Sequence, residues 1–437
     1  MTEPGAAAAA ELVVVGGRPL RGTLRVPGDK SISHRALLFA ALAEGQSRVT
    51  HLADGDDVGR TRAALECTGV AIRGVHDAVV AGRGLDGWRE PETVVDCGNS
   101  GTTMRLLAGL LAGRPFHTVL TGDASLRSRP MARVAEPLRA MGASVDGRDG
   151  GSYAPLAIRG GVLRGRRFDL PVASAQVKTA ILLAGLQATG VTAVHEPARS
   201  RDHTERMLAA VGVPIRQLDD GTIAIESGAP ASFELDVPGD PSSAAFFAVA
   251  ASIVPGSRVV LEGLALNPTR IGFVDVLKRM GAHVDVAPTG DALGEPVGDI
   301  TVEAAPLRAT EIAGDEIPRV IDELPALAVA AAYADGTTEI RDAVELRVKE
   351  TDRIGTIHQE LTELGVDAEP RRDGLVIRGG VPRSSRFKSH GDHRVGMAAA
   401  VAALGASGES TVRGWAAVTT SYPGFADDLA RLTGATT

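Results

Sequence analysis

The chain has 437 residues, 44% hydrophobic and 23% charged, with a formal net charge of −8. That length exceeds one ordinary domain and the composition is globular, so two domains with ample core are expected. The acidic balance, with a pI near 5.7, and an aromatic content of only 3% argue against nucleic-acid binding, and no run of about 18 apolar residues is present to cross a membrane.

Met1 to Ala10 has neither the basic head nor the apolar core of a signal peptide and reads as a frayed end. Glu11 to Val26 follows with two short strand-like runs, Leu12–Val15 and Thr23–Val26. Next comes Gly28-Asp29-Lys30-Ser31-Ile32-Ser33-His34-Arg35, which feeds directly into the apolar run Ala36–Ala43. Small polar residues before an apolar run mark a helix start, where unpaired backbone N–H groups and the positive end of the dipole favour an anion. A phosphate-binding P-loop is excluded because Asp29 stands where that motif needs Gly.

The same design recurs. An apolar helix ending at a Gly and followed by a β-branched run reads at Leu37–Gly45–Val49, Leu106–Gly113–Val119 and Ile181–Gly190–Val194. It returns at Phe246–Gly256–Val260, Leu327–Gly336–Ile340 and Met397–Gly408–Val412, giving six copies about 70 residues apart. A second, amphipathic helix closed by Gly69, Gly142, Gly212, Gly281, Gly365 and Gly434 interleaves with it, Gly after a helix being the expected left-handed stop.

The last unit lacks closing strands, and the N-terminal runs can supply them. Val26-Pro27-Gly28-Asp29-Lys30-Ser31 is echoed by Val237-Pro238-Gly239-Asp240-Pro241-Ser242. The expected organisation is a first domain at 30–238, holding units one to three, and a second made of 1–29 plus 239–437. The hinge falls where the chain crosses, at 26–30 and 237–241. A six-unit solenoid is the structural alternative, but its repeats are usually shorter.

The residues before each apolar helix carry the chemistry. If equivalent helices run parallel, six helix starts and their Lys and Arg side chains face a shared cleft attractive to anions despite the acidic total. Arg127–Pro130, Ser200–Arg206 and Val348–Arg353 add charge just ahead of second helices. Cys67 and Cys97 are too few for a disulfide framework or a zinc site, suit a reducing cytosol, and read as small buried residues.

Taken in order, Gly28-Asp29-Lys30-Ser31, Gly98-Asn99-Ser100-Gly101-Thr102, Ser174-Ala175-Gln176, Ser200-Arg201-Asp202-His203-Thr204, Lys349-Glu350-Thr351-Asp352-Arg353 and Gly391-Asp392-His393-Arg394 resemble the signature set of the 3-phosphoshikimate 1-carboxyvinyltransferases, the glyphosate targets. The resemblance runs from about Val14 to the C-terminus. It implies an α/β fold of two inverted domains, each of three βαβαββ units in pseudo-threefold arrangement. It also implies transfer of the enolpyruvyl group of phosphoenolpyruvate to the 5-hydroxyl of shikimate 3-phosphate, by a cytoplasmic monomer using no metal or organic cofactor.

Matching motif positions implies that Lys30, Ser31, Arg35, Ser174, Gln176, Arg201, Asp322 and Lys349 bind shikimate 3-phosphate. Lys30, Gly101, Arg129, Gln176, Arg353 and Arg394 bind phosphoenolpyruvate. Asp322, Glu350 and Lys30 are the implied catalytic residues: Asp322 with Lys349 as the base for the hydroxyl, Glu350 with Lys30 as the acid for the methylene carbon. Bland readings compete, with Asp322 as a helix cap and Glu350 as a surface ion pair.

Two details bear on the resemblance. The family's C-terminal Lys is missing near Val418–Pro423, and Gly101 stands where glyphosate-insensitive members can carry Ala. The nearest alternative is the sibling enzyme acting on a UDP-amino sugar, UDP-N-acetylglucosamine enolpyruvyl transferase. That family's loop Cys is absent near Ser125–Pro130. An RNA-terminus processing protein built from related units, or a non-catalytic anion binder, are the readings from other classes.

Overall fold

The structure, a computed structural model, describes residues 11–435; the expectation of a frayed Met1–Ala10 lies outside the described residues. The chain is mixed α/β and divides into two compact units. One is Gly28–Val237 with Asp291–Glu295. The other is the stretch ending at Pro27, Pro238–Gly290 and the stretch from Pro296 onward.

Helices α1 (Lys30–Leu42), α3 (Gly101–Leu111) and α5 (Ala175–Gly185) of the first unit alternate with α2 (Asp56–Cys67), α4 (Ala132–Met141) and α6 (His203–Ala210). The odd-numbered ones are rich in Ala and Leu on all sides because they are buried on all sides; α1 is covered from Ile32 to Leu42. The even-numbered ones bury one stripe only, as α4 does with Val134, Ala135, Leu138 and Met141. Cys67, the last residue of α2, is exposed and only Cys97 is buried, which corrects the expectation for the first of the two. It falls outside the buried stripe of α2, which is Val58, Thr61, Ala64 and Leu65.

Helices α3 and α5 each join two parallel strands, and α2, α4 and α6 each lead to an antiparallel hairpin on the same sheet. Thus Val95–Asp96 pairs parallel with His117–Thr121, which pairs antiparallel with Tyr153–Arg159, itself antiparallel to Ser144–Gly147. Arg167–Asp169, Thr192–His195, Ile223–Ile225 and Ile215–Gln217 repeat the pattern. In the first sheet the parallel edge is Glu234–Asp236, laid beside Glu44–Thr50, so the end of this unit closes the sheet opened at its start. Gly45 lies inside that strand rather than at the end of α1, whose last residue is Leu42.

The second unit runs through α7 (Pro241–Ile253), α8 (Gly272–Arg279), α9 (Leu324–Ala332), α10 (Arg353–Glu363), α11 (His393–Gly405) and α12 (Phe425–Thr433). The N-terminal runs serve two of its sheets. Arg21–Leu24 lies parallel to Arg258–Ala265, while Glu11–Val15 lies antiparallel to Glu409–Arg413. Phe246, Phe247, Trp415, Tyr422 and Phe425 gather between α7 and α12, with the Phe247 and Phe425 rings 4.9 Å apart. In a chain so poor in aromatics this cluster supplies large buried area in one place. Gly142 after α4 has φ 121° and Gly434 after α12 has φ 62°, values that an L side chain resists.

Candidate functional site

In the first unit the helix starts are held by their own caps. Asp29 accepts the Ile32 N–H at 2.8 Å, Ser100 accepts that of Thr103 at 3.2 Å, and Ser174 that of Val177 at 3.4 Å. Lys30 opens α1, and its Nζ is 3.1 Å from Asp57 Oδ2 in the first turn of α2. Ser31 is half-buried, and its carbonyl accepts from Arg35 Nη1 at 3.0 Å.

Arg35 is buried. Its Nε and Nη2 donate to Thr204 and Thr179 at 2.8 and 2.9 Å. Burial pushes its guanidinium down to about 10, with Glu205, Asp29 and Glu295 acting in the other direction, so it stays charged at neutral pH. Glu295 belongs to the tip of the hairpin His283–Ala292 and Glu295–Glu303; within this unit its Oε1 is 2.8 Å from His203 Nδ1, both side chains being fully buried.

Gly101, the first residue of α3, lies among guanidiniums. A Cβ placed on it would be 3.1 Å from Arg105 Nη1 and 3.5 Å from Arg129 Nη1. Arg129 Nη2 donates to Asn99 Oδ1 at 2.6 Å, and Asn99 in turn donates to Asp123 at 2.7 Å. Arg105 donates to Gln176 Oε1, whose Nε2 donates to Thr102 at 2.9 Å. Gly101, Arg129 and Gln176, drawn from three motifs, therefore share one neighbourhood.

Ser174 is tied down from behind. Its N–H donates to Glu196 Oε1 at 2.8 Å, and Glu196 Oε2 takes Ser200 Oγ at 2.7 Å and Lys178 Nζ at 2.8 Å. Lys178 also meets Glu205 at 2.7 Å; burial would lower its ammonium, but Glu205 and Glu196 outweigh burial and raise it. Arg201, half-buried, stands on the same loop as Ser200.

The second unit places the other candidates around Asp322. Its Oδ1 is 3.6 Å from both Lys349 Nζ and Arg353 Nη1, its Oδ2 is 3.9 Å from Arg394 Nη2, and its carbonyl accepts from Arg394 Nη1 at 3.1 Å. The cap position of α9 belongs to Glu323, so Asp322 is not the helix cap of the bland reading. Glu350 Oε2 is 2.6 Å from Arg353 Nη2.

Arg353 is itself buried and donates its Nε to Asp392 at 2.8 Å. Burial opposes its charge, yet Asp392, Glu350 and Asp322 together raise it. Asp392 answers in kind: burial works to raise it, but the charge and hydrogen bond of Arg353 hold it below the usual carboxylate range. Its Oδ1 also accepts the Arg394 N–H at 2.9 Å, capping α11. Among the described residues no three or more His, Cys, Asp or Glu side chains are grouped to hold a metal.

A family model described as EPSP synthase (3-phosphoshikimate 1-carboxyvinyltransferase) matches residues 14–429. The chain belongs to that family. Two curated relatives named 3-phosphoshikimate 1-carboxyvinyltransferase are similar over nearly their whole length. That of Bacillus licheniformis is 50% identical over 417 residues, covering 94% of this chain and 97% of its own. That of Chloroflexus aurantiacus is 54% identical over 419 residues, covering 94% and 96%. The solved EPSP synthase of Acinetobacter baumannii superposes with a TM-score of 0.89 at 42% identity, covering 97% of this chain and 98% of that one. The enolpyruvyl transferase NikO of Streptomyces tendae, at 21% identity and TM-score 0.77, shares the fold. The fold is accordingly that of the enolpyruvyl transferases.

The motif reading gave no role to Arg105, Asn99, Asp57 and Asp392, which the structure sets against Gly101, Arg129, Lys30 and Arg353 respectively. Arg105 is legible in hindsight, four residues past Gly101 and so on the same helix face. Where the family's C-terminal Lys is missing, Trp415–Thr420 forms a 3-10 turn and Tyr422 donates to Asp428 at 2.7 Å, so the segment serves the aromatic cluster.

Proposed function

We infer that the chain transfers the enolpyruvyl group of phosphoenolpyruvate to the 5-hydroxyl of shikimate 3-phosphate, giving 5-enolpyruvylshikimate 3-phosphate and phosphate. The observation that carries this is membership of the EPSP synthase family along residues 14–429, with relatives of that name at half identity or more. The UDP-amino-sugar reaction has no comparable support.

The residue roles are part of the proposal. Lys30, Ser31, Arg35, Ser174, Gln176, Arg201, Asp322 and Lys349 hold shikimate 3-phosphate; Lys30, Gly101, Arg129, Gln176, Arg353 and Arg394 hold phosphoenolpyruvate. A ligand with a phosphate and a carboxylate calls for several cations, and forked guanidiniums suit both groups.

Asp322, with Lys349 beside it, takes the proton of the 5-hydroxyl as that oxygen adds to the C2 carbon of phosphoenolpyruvate. Glu350, with Lys30, gives a proton to the C3 methylene, producing a tetrahedral intermediate with a methyl group. Loss of phosphate and return of one methyl proton restore the double bond. The approach of Lys349, Arg353 and Arg394 to one carboxylate supports placing developing negative charge there. Glyphosate is the expected inhibitor, and a cytoplasmic monomer the expected form.

Purified protein incubated with shikimate 3-phosphate and phosphoenolpyruvate is expected to release one phosphate per enolpyruvyl ether formed. Phosphate release with a UDP-amino sugar and none with shikimate 3-phosphate would overturn the reading.

A further inference from the structure

His34 lies between proposed ligands yet has no part in the chemistry above. It is fully buried in α1, and its Nε2 is buried with no hydrogen-bond partner. An apolar side chain would fill that space without leaving a polar atom unmet, so the use of the imidazole lies in its other nitrogen. Nδ1 is 2.7 Å from Thr61 Oγ1 on α2, Thr61 Oγ1 is 2.7 Å from Thr103 Oγ1 on α3, and Thr103 Oγ1 donates to Ser100 Oγ at 2.7 Å. All four side chains are buried.

The chain of bonds has one consistent direction. A buried lone pair is tolerated better than a buried unpaired N–H, so the ring carries its hydrogen on Nδ1 and donates to Thr61. Thr61 then donates to Thr103, and Thr103 to Ser100 at 2.7 Å, the nearer of its two acceptors, the Asp57 carbonyl lying at 3.3 Å. Ser100 is thereby kept as the acceptor that caps α3 through the Thr103 N–H. The ring stays neutral: burial, helped by Lys30 and Arg35 and opposed by Asp57, pushes it down to about 3.

We propose that His34 is a positioning residue for phosphoenolpyruvate: through Thr61, Thr103 and Ser100 it fixes the start of α3, where Gly101 stands against Arg105 and Arg129. This rests on the placement of phosphoenolpyruvate at Gly101 and adds the element that sets the spacing between α1, which carries Lys30, and α3.

The test is steady-state kinetics with thermal melting on His34→Leu, His34→Asn and Thr103→Val. Cutting the relay is expected to raise KM for phosphoenolpyruvate about tenfold in His34→Leu and Thr103→Val, with KM for shikimate 3-phosphate within about twofold. His34→Asn, whose amide N–H falls near the Nδ1 position, is expected to restore most of the loss. If His34→Leu does not fold, Thr103→Val, which removes one hydroxyl at constant shape, decides.

An unchanged KM for phosphoenolpyruvate in folded Thr103→Val overturns the proposal, as does an equal rise for both substrates without rescue by Asn. Gly101→Ala serves as the separate control. If it leaves KM for phosphoenolpyruvate unchanged, the placement of that substrate fails; if it raises KM while the relay variants do not, only the role of His34 fails.

Discussion

Replacing Gly101 by Ala should move stability and substrate binding in opposite directions. The added methyl would lie 3.1 Å from Arg105 Nη1, 3.5 Å from Arg129 Nη1 and 3.7 Å from Leu126 Cδ1. The closest of these atoms is the far end of a flexible side chain, so the guanidinium yields by a few tenths of an ångström and the helix does not. Gly101 opens α3 without a positive φ, so Ala fits the backbone and removes freedom from the unfolded chain. That stabilises by about 0.4–1 kcal/mol, or about 1–3 °C in the melting temperature. A hydrogen bond to a charged group is worth roughly 1.5–3 kcal/mol, and displacing one guanidinium forfeits about half of that, roughly tenfold in affinity. KM for phosphoenolpyruvate should therefore rise about tenfold, with KM for shikimate 3-phosphate nearly unchanged, and glyphosate inhibition should weaken at least as much. Initial-rate kinetics with both substrates varied, alongside a melting curve, reads all of these. A variant that melts higher yet keeps its KM for phosphoenolpyruvate within twofold would refute the placement of Gly101 against that ligand.

Asp322→Asn should lower kcat by about 10²–10⁴-fold while calorimetry still detects shikimate 3-phosphate binding, because the amide keeps the carboxylate's size and one acceptor oxygen but cannot take the proton; turnover within tenfold of the parent would remove Asp322 from the mechanism. Asp392→Asn removes the carboxylate at Arg353 Nε while Glu350 and Asp322 still face the guanidinium, and should cost about 1.5–3 kcal/mol in urea unfolding at pH 7. Since Asp392 is held below its ordinary value, its contribution is complete above about pH 4 and fades as pH falls below that, so the gap between parent and variant should shrink at pH 3. His34 has the opposite chemistry and the same direction: its folded value near 3 lies below 6.5, so the parent should lose stability as pH falls from 6.5 toward 3, a slope that His34→Leu lacks. In the folded protein a thiol-alkylating reagent should label exposed Cys67 and spare Cys97, whose thiol burial pushes up to about 12; mass spectrometry showing two adducts before unfolding would contradict the packing of Cys97.

The alternation of helix types was legible because burial writes itself into composition. A helix covered on all sides, such as α9 from Leu324 to Ala332, reads as an unbroken apolar run, and one covered on a single side, such as α8, reads as a stripe. Glycines placed after the even helices gave their ends, for the same steric reason in each unit. Long-range pairing was another matter. Glu234–Asp236 beside Glu44–Thr50 joins strands about 190 residues apart, and nothing in three residues names their partner. The two N-terminal runs could be read as strands to spare, but their division between the sheets of α7 and α11 depends on register alone. The long hairpin ending at Asp291–Glu295 was missed too, because its exposed, polar strand His283–Ala292 lacks clean alternation.

Charged residue types at helix starts pointed to the segments that hold Lys30, Arg353 and Arg394, and the family resemblance gave them roles, whereas Asp57 and Asp392, two of the carboxylates that meet them, were given none. Asp57 lies 27 positions from Lys30 and Asp392 lies 39 from Arg353, distances that carry no periodic signal. These hidden partners change how the site works. The reading from sequence set Asp322 with Lys349 and Glu350 with Lys30; the fold gives Lys30 its Asp57 and Arg353 its Asp392 and Glu350. An unpaired buried cation would be costly in the empty protein, so each cluster is close to neutral before substrate arrives. On the proposed roles, a phosphate or carboxylate that reaches Lys30 or Arg394 competes with a carboxylate already present, exchanging one anionic partner for another. On the proposed roles the acidic partners, as much as the basic side chains, set how tightly a chain of net charge −8 holds two acidic substrates.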